Sequence, residues 1–176
     1  MQKRTQSAFT LVELLVVISI IGILSAIVLA SVAKAKSQSR DGKRITDVKQ
    51  LQLAIGLYYD ANNKYPANIT SSTLAPAYIS VVPIDPSSAP GNLIAYDFVP
   101  YCAAGDTVNP VGYHMGTSLE NSGNSALLNT SSVTNFAGGT YVACTGAGGS
   151  STDLNGTNTA KCLTSDVGSY CYDVTP

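Results

Sequence analysis

The hydropathy pattern of the chain begins with a long apolar run, from Phe9 to Ala33, in which Glu13 is the one charged residue. As a helix, residues 9–33 would be about 37 Å long, and about 20 apolar residues are enough to cross a bilayer. The pattern therefore predicts a transmembrane helix behind a short basic tail, residues 1–8. Because a carboxylate within a bilayer is costly, Glu13 requires a functional explanation.

The pattern then changes to that of an amphipathic helix over residues 34–61. Its apolar side chains recur at spacings of three and four, the period of one helix face; they are Ile45, Val48, Leu51, Ile55 and Tyr58 or Tyr59. The opposite face is predicted to carry Lys43, Asp47, Gln50 and Gln52. No proline separates this segment from the apolar run, so one helix is predicted, ending at Asn62-Asn63 and Pro66. Gly22 indicates either local unwinding or a close helix–helix contact.

Short strands follow a connector, residues 62–93, that is rich in proline, serine and asparagine. Its apolar residues are predicted to pack on the helix: Leu74, Tyr78, Ile79, Val81, Val82 and Ile84. The strand-like runs are Ile94–Tyr101, Val111–Leu119, Thr140–Cys144 and Tyr170–Val174. The predicted fold is α+β: a long N-terminal helix, with a transmembrane half and an amphipathic half, packs on a small antiparallel sheet in a globular head, residues 62–176.

Charge is distributed unevenly, although the net charge is only −1. Six basic residues and two acids lie between Lys34 and Lys49, whereas two basic and eight acidic residues follow residue 50. The basic block directly follows the apolar run, where lipid phosphates are within reach. Because basic residues also precede the run, the charge rule for membrane orientation does not decide which side the head occupies.

Four cysteines lie in the C-terminal part of the chain: Cys102, Cys144, Cys162 and Cys171. An even number with no cysteine in the helical part favours two disulfides formed in an oxidising compartment. The alternative is a zinc site, which typically has paired cysteines two to four residues apart. The closest pair here has eight residues between its members. The spacing therefore favours a head outside the cytoplasm.

Catalytic motifs are absent from the sequence. His114 is the one histidine, and there is no nucleophile elbow, P-loop, dinucleotide fingerprint or His-Glu-x-x-His motif. We therefore expect that the protein is not an enzyme. The basic block adjoins the predicted membrane segment, and the aromatic residues that would stack on bases lie elsewhere in the chain, so no nucleic-acid partner is expected.

The segment Ala8-Phe9-Thr10-Leu11-Val12-Glu13 before the apolar helix resembles the processing site of type IV prepilins. That superfamily contains the type IV pilins and the pseudopilins of type II secretion systems. The resemblance implies that prepilin peptidase cleaves between Ala8 and Phe9 and methylates the new amine of Phe9. Ala8 departs from the pattern, which usually has glycine there. The alternative is ordinary signal cleavage near residues 33–35, where small residues are present.

A second resemblance lies in Leu57–Pro66, which is similar to the helix end of major pseudopilins and short pilins. The segments Leu74–Ile79 and Pro83–Pro86 continue it, so the resemblance covers about residues 1–100. The C-terminal part departs from the usual pseudopilin ending, with longer Gly/Ser loops and four cysteines. Pilins often close their last strands with a disulfide, which implies Cys162–Cys171 and leaves Cys102–Cys144.

The resemblance implies roles for two further groups of residues. In a filament, Glu13 would pair with the N-terminal ammonium of Phe9 on a neighbouring subunit; the alternative is a carboxylate that snorkels to the membrane surface. Major pseudopilins bind calcium in a C-terminal loop. Here the corresponding candidates are Asp153, Asn155 and Asn158, for which the alternative is a solvated Asn/Asp-Gly turn.

The predicted function is a structural subunit of a type IV pilus-like filament. The alternatives are a major-type pseudopilin of a type II secretion system and a membrane-tethered extracytoplasmic adhesion domain. The implied partners are further copies of the chain, prepilin peptidase, an inner-membrane assembly platform, minor pilins and, before assembly, membrane lipid. The implied locations are the inner membrane for the precursor and an extracellular filament or periplasmic pseudopilus after assembly. No cofactor other than the calcium candidate is predicted.

Overall fold

A computed structural model of the chain describes residues 10–89, 96–103, 105–129, 141–144, 162 and 170–176. The leader, residues 1–8, Phe9 and the calcium candidates Asp153, Asn155 and Asn158 lie outside the described residues. The chain divides into two compact units, Met1–Ser37 and Gln38–Pro176.

Helix α1, Leu11–Asn62, contains the described part of both predicted helical segments. By length and composition it includes a stretch that can cross a membrane, and none of that stretch is buried within the chain. The helix ends at a left-handed residue, Asn63, whose φ is 52°. The Asn63 N–H donates to the Tyr59 carbonyl at 2.7 Å, which is the usual bond of such a C-terminal cap. The predicted end of the helix is therefore confirmed.

A four-stranded antiparallel sheet forms the head together with the C-terminal part of α1. A short helix α2, Ser71–Leu74, lies in the connector. The strands are β1 (Asp97–Ala103), β2 (Pro110–Leu119), β3 (Tyr141–Ala143) and β4 (Tyr170–Val174), with a 3-10 helix over Ser125–Asn129. The spatial order of the strands is β3-β1-β2-β4. In the register, Phe98 lies opposite Met115 and Thr117 opposite Tyr172.

Strand alternation divides the apolar side chains between the two faces of the sheet. The face toward α1 carries the main core, to which α1 contributes Val48, Leu51, Ala54 and Ile55, and the strands contribute Phe98, Tyr113, Met115, Leu119 and Tyr172. The other face carries a smaller cluster of Val99, Tyr101, Cys162 and Cys171. The α+β prediction and the apolar face of α1 are thus confirmed.

Three expectations about exposure are wrong. Asp47, placed by periodicity on the polar face of α1, is buried at 6% exposure because it accepts a hydrogen bond from Tyr96. Val81 and Ile84, expected to anchor the connector, are 75% and 40% exposed. The other four predicted anchors are confirmed: Leu74 is fully buried, and Tyr78, Ile79 and Val82 pack against the core at partial exposure.

Two disulfides fasten the strands of the head. Cys102 on β1 is bonded to Cys144, which directly follows β3. Cys162 is bonded to Cys171 on β4. These are the pairs that the family resemblance implied. Among the described residues no cysteine is free, and no group of three or more histidine, cysteine or acidic side chains is arranged to hold a metal ion.

Candidate functional site

Glu13 and Thr10 form a reciprocal cap at the start of α1. The Thr10 backbone N–H and hydroxyl donate to Oε2 of Glu13 at 2.9 and 2.8 Å, and the Glu13 N–H donates to the Thr10 hydroxyl at 3.3 Å. This is a capping box, in which a threonine and a glutamate three residues later satisfy each other's backbone donors. Among the described residues, the second oxygen of Glu13, Oε1, has no hydrogen-bond partner.

The large apolar side chains of α1 in the first unit are all exposed, from Leu11 at 84% to Val32 at 44%. The helix is continuous through Gly22, so the described subunit shows no unwinding there. A Cβ added at Gly22 would meet no atom within 4 Å. No contact among the described residues therefore requires a glycine at this position, whereas a second helix could approach it closely. The exposed stripe requires either lipid or other helices to cover it.

A buried ionic cluster fixes α1 to two distant segments of the head. Arg44 is fully buried, and its guanidinium donates to Asp41 at 2.9 Å, to Asp85 at 2.6 Å and to Glu120 at 2.9 Å. It also donates to the Ser87 hydroxyl at 2.8 Å. A buried charge is tolerated only when it is paired and fully hydrogen-bonded, and this arrangement meets both conditions. The cluster therefore joins the helix to the connector and to the end of β2.

Asp41 supports the same cluster from the helix. Its two carboxylate oxygens accept the backbone N–H groups of Glu120 and Asn121 at 2.9 and 3.0 Å. Asp41 is also fully buried. The turn that follows β2 is thus held by a side chain of α1, which satisfies two backbone donors of that turn.

Electrostatics favours the ionised state of this cluster. The pKa of Glu120 is lowered, chiefly by the hydrogen bond from Arg40. Burial of the Glu120 carboxylate acts in the opposite direction, and Arg44 lowers the pKa further. The same bond, in which Arg40 Nε lies 2.7 Å from Glu120 Oε1, raises the pKa of Arg40. Burial by itself would lower the pKa of Arg44, but the hydrogen bonds and charges of Asp85 and Glu120 outweigh it and raise the pKa overall.

A second polar contact lies one helical turn further along α1. The Tyr96 hydroxyl donates to Asp47 at 2.6 Å, and Lys43 pairs with the same carboxylate at 3.3 Å. Burial, followed by the hydrogen bond to Asp47, raises the pKa of the Tyr96 hydroxyl. The contact links α1 to the segment directly before β1.

The outer face of the sheet contains a third polar pair. His114 on β2 and Asp173 on β4 are fully buried, and Nε2 of His114 lies 2.5 Å from Oδ2 of Asp173. Within the described part of the chain, Nδ1 of His114 and Oδ1 of Asp173 have no hydrogen-bond partner. The lone histidine of the sequence therefore fastens the last strand to its neighbour, beside the Cys162–Cys171 disulfide.

The predicted site residues fall into separate places. Glu13 lies in the first unit, and the four cysteines lie in the head, whereas Ala8, Phe9 and the calcium candidates are outside the described residues. Sequence reasoning missed the role of Thr10, although the spacing Thr-x-x-Glu before an apolar run is a readable signal for a capping box. It also missed Arg44, for which the sequence offers no local signal because Asp85 and Glu120 lie 41 and 76 residues away.

Comparison with known proteins places these features in a family. A family model for the prokaryotic N-terminal methylation motif matches residues 3–29. Type II secretion system core protein G of Aeromonas hydrophila is 34% identical over 110 residues, which cover 54% of this chain and 77% of that protein. The protein of the same name from Pseudomonas aeruginosa is 31% identical over 110 residues, covering 54% of this chain and 78% of the relative.

A relative from the other branch is the type IV major pilin protein PilE1 of Neisseria gonorrhoeae, which is 34% identical over 70 residues, 40% of this chain and 42% of that protein. No solved structure shows significant similarity to the chain. The matched motif covers the start of the exposed apolar helix α1, which a small α+β head follows. The chain belongs to the superfamily of type IV pilins and type II secretion pseudopilins.

Proposed function

We propose that this chain is a structural subunit of a type IV pilus-like filament, assembled as a homopolymer through the N-terminal part of α1. The observation that carries the proposal is an exposed apolar helix with one carboxylate, Glu13, at its start, on a chain whose head has its own core. The superfamily is structural, and we propose that the chain has no enzymatic activity. The precursor resides in the inner membrane, and the assembled form is a filament.

Glu13 is proposed to select the register of each added subunit. Cleavage between Ala8 and Phe9 by prepilin peptidase would create a positively charged amine next to Thr10 on every copy. In the membrane this amine and Glu13 are costly charges, and in the filament an amine of one copy pairs with Glu13 of its neighbour. Because Oε2 of Glu13 already accepts from Thr10, Oε1 is the oxygen that would receive the neighbour's ammonium.

The remaining partners follow from the same proposal. An inner-membrane assembly platform and minor pilins would extract the subunit from lipid and start the filament. No nucleic-acid partner and no resident cofactor are part of the proposal. The calcium candidates Asp153, Asn155 and Asn158 stay a prediction, which a calcium-dependent rise in the melting temperature, lost in Asp153→Asn, would support.

The test of the function is a comparison of wild-type protein with Glu13→Gln and Thr10→Val in the producing cell. Mass spectrometry of the mature chain is expected to find N-methylated Phe9 in all three. Electron microscopy of sheared appendages is expected to find filaments for wild type and none for Glu13→Gln. Thr10→Val removes the hydroxyl of the cap but keeps the charge of Glu13, and is expected to retain filaments in reduced amount. An intact Met1, or a mature chain starting near Ala35, would sink the proposal.

A second candidate is a core pseudopilin of a type II secretion system. The relatives named core protein G favour it, and so does the connector that resembles theirs. The two disulfides that close the head favour the pilus branch, because they depart from the usual pseudopilin ending. Deletion of the gene separates the candidates: loss of surface filaments supports the pilus, whereas retention of secreted enzymes in the periplasm supports the pseudopilus.

A further inference from the structure

Lys34 and Lys36 are two exposed cations without a counter-ion in the described part of the chain. They differ in this from the next three basic residues on α1. Arg40 pairs with Glu120, Lys43 with Asp47 and Arg44 with three carboxylates. The three cations nearest to them in the head are thus neutralised within the chain, whereas the first two cations after the apolar run are left for a partner outside it.

The position of these lysines relative to the apolar run identifies the chemistry of that partner. The helix from Leu11 to Ala33 is about 33 Å long at 1.5 Å per residue, which matches the hydrocarbon thickness of about 30 Å. Exposed apolar side chains continue to Val32. Lys34 and Lys36 are therefore the first charges beyond the hydrocarbon, at the level where lipid phosphates lie.

The spacing of the two lysines favours lipid over a protein surface. Residues two apart on a helix do not share a face, since successive side chains are about 100° apart around the helix axis. One flat protein surface would reach one of these ammonium groups and leave the other in solvent. Lipid surrounds a membrane helix on all sides, so both lysines can reach phosphates at the same depth, with their aliphatic stems along the helix.

We propose that Lys34 and Lys36 bind the phosphate groups of anionic phospholipids in the leaflet that faces away from the cytoplasm. The inference rests on the proposed function of the chain as a filament subunit stored in the membrane. Phosphate binding fixes the depth of the helix in the bilayer, and so fixes the depth of Glu13 near the opposite surface. Assembly then requires that these ion pairs break when the subunit leaves the membrane.

The test uses the full chain reconstituted in phosphatidylcholine vesicles that contain a small fraction of spin-labelled phosphatidylglycerol or spin-labelled phosphatidylcholine. Electron paramagnetic resonance gives the relative association of the two lipids with the protein. For wild type we expect phosphatidylglycerol to be preferred by up to about fivefold for each lysine. The preference is expected to fall in 1 M NaCl, where the Debye length is about 3 Å.

The variant K34Q/K36Q is expected to lose this preference. The matched control is K49Q/K64Q, which removes the same charge from two exposed lysines of the second unit that have no ion pair among the described residues; it is expected to behave as wild type. Equal lipid preference in K34Q/K36Q and wild type would overturn the inference. So would a K34Q/K36Q variant that keeps the preference but forms no filaments, since the lysines would then contact a second copy of the chain.

Flotation of the vesicles separates this test from that of the proposed function. If the wild-type chain does not float with vesicles of either composition, it is not stored in a membrane, and the proposed function fails. If it floats but shows no preference between the two lipids, the function stands and the assignment of Lys34 and Lys36 is wrong.

Discussion

Replacing Arg44 with methionine tests whether the buried ionic cluster holds the helix in the head. Methionine keeps an unbranched side chain of similar length but removes the guanidinium, which leaves three carboxylates without their shared cation. Asp41 and Asp85 are the most affected, because their side chains are 0% and 5% exposed. Arg44→Met is therefore expected to destabilise the head strongly.

The size of the effect follows from the contacts that remain. Removing one partner of a buried ion pair typically costs about 3–5 kcal/mol. Asp41 keeps the N–H groups of Glu120 and Asn121, and Asp85 keeps the N–H of Ser87 at 2.7 Å. We therefore expect the lower end, about 3 kcal/mol. For a unit of this size, that corresponds to a fall in melting temperature of about 6–12 °C.

Near-ultraviolet circular dichroism of the full chain in detergent measures this effect on the head alone. The chain has ten tyrosines and no tryptophan, and every tyrosine lies after Leu57, so the membrane segment contributes nothing to the tyrosine signal. The control is Arg40→Met, which removes the same group from the surface end of the cluster, where the side chain is 36% exposed. Its melting temperature is expected to fall much less.

A double variant tests the cause of the destabilisation. In Arg44→Met/Asp85→Leu the stranded carboxylate of Asp85 is also removed, and replacing a whole buried pair with apolar residues is often neutral. The double variant is therefore expected to recover part of the lost stability. The reasoning would be refuted if Arg44→Met had the melting temperature of wild type. It would also be refuted if adding Asp85→Leu lowered the melting temperature further instead of raising it.

Three further predictions concern pH and the disulfides. The pKa of Glu120 is lowered from its ordinary value of 4.5. Its contribution to stability is therefore present above pH 4.5 and is lost as the pH falls through the lowered pKa. In Glu120→Gln the melting temperature should depend less on pH in that acid range than it does in wild type. The pKa of Tyr96 is raised from its ordinary value of 10.0. Its contribution to stability is therefore present below pH 10 and is lost as the pH rises above that value. Tyr96→Phe should reduce alkaline unfolding, which is measured by the absorbance of tyrosinate. The two disulfides close loops of different length, with separations of 42 residues for Cys102–Cys144 and 9 for Cys162–Cys171. In denaturant titration, removing the first should lower the free energy of unfolding by about 4 kcal/mol and removing the second by about 3 kcal/mol. Equal costs would contradict the loop-entropy explanation.

The parts of the fold that depend on local pattern are readable in the sequence. The spacing of Val48, Leu51 and Ile55 identifies the buried face of α1, because helix geometry brings residues three and four apart to one side. Alternation along a strand places Tyr170 and Tyr172 on one face in a comparable way, and both pack at the main core. The end of α1 is readable from Asn63, since asparagine tolerates the left-handed conformation.

Contacts between distant segments are not readable in this way. Periodicity places Asp47 on the polar face, but Tyr96, 49 residues away, supplies a buried hydrogen bond that reverses the prediction. The composition of the Lys34–Lys49 block shows that it is basic, but it gives no sign that Arg44 is fully buried among carboxylates. One-dimensional patterns report how polar a residue is, and they do not report which distant partner neutralises it.

The capping box at the start of α1 refines the role of Glu13. In the isolated subunit the carboxylate is already hydrogen-bonded through Oε2 to Thr10, so it is not a bare charge. The proposed pairing in the filament adds a cation to a carboxylate that the cap has already oriented. If the proposed pairing forms, this arrangement lowers the entropy lost on assembly, because the rotamer of Glu13 is fixed before the neighbour arrives.

The most direct test of the central claim is a cryo-electron microscopy map of the assembled filament at side-chain resolution. The account predicts that the N-terminal amine of Phe9 on one subunit lies within about 4 Å of the Glu13 carboxylate on its neighbour. A filament in which Glu13 contacts only its own Thr10, with the neighbour's amine elsewhere, would contradict it.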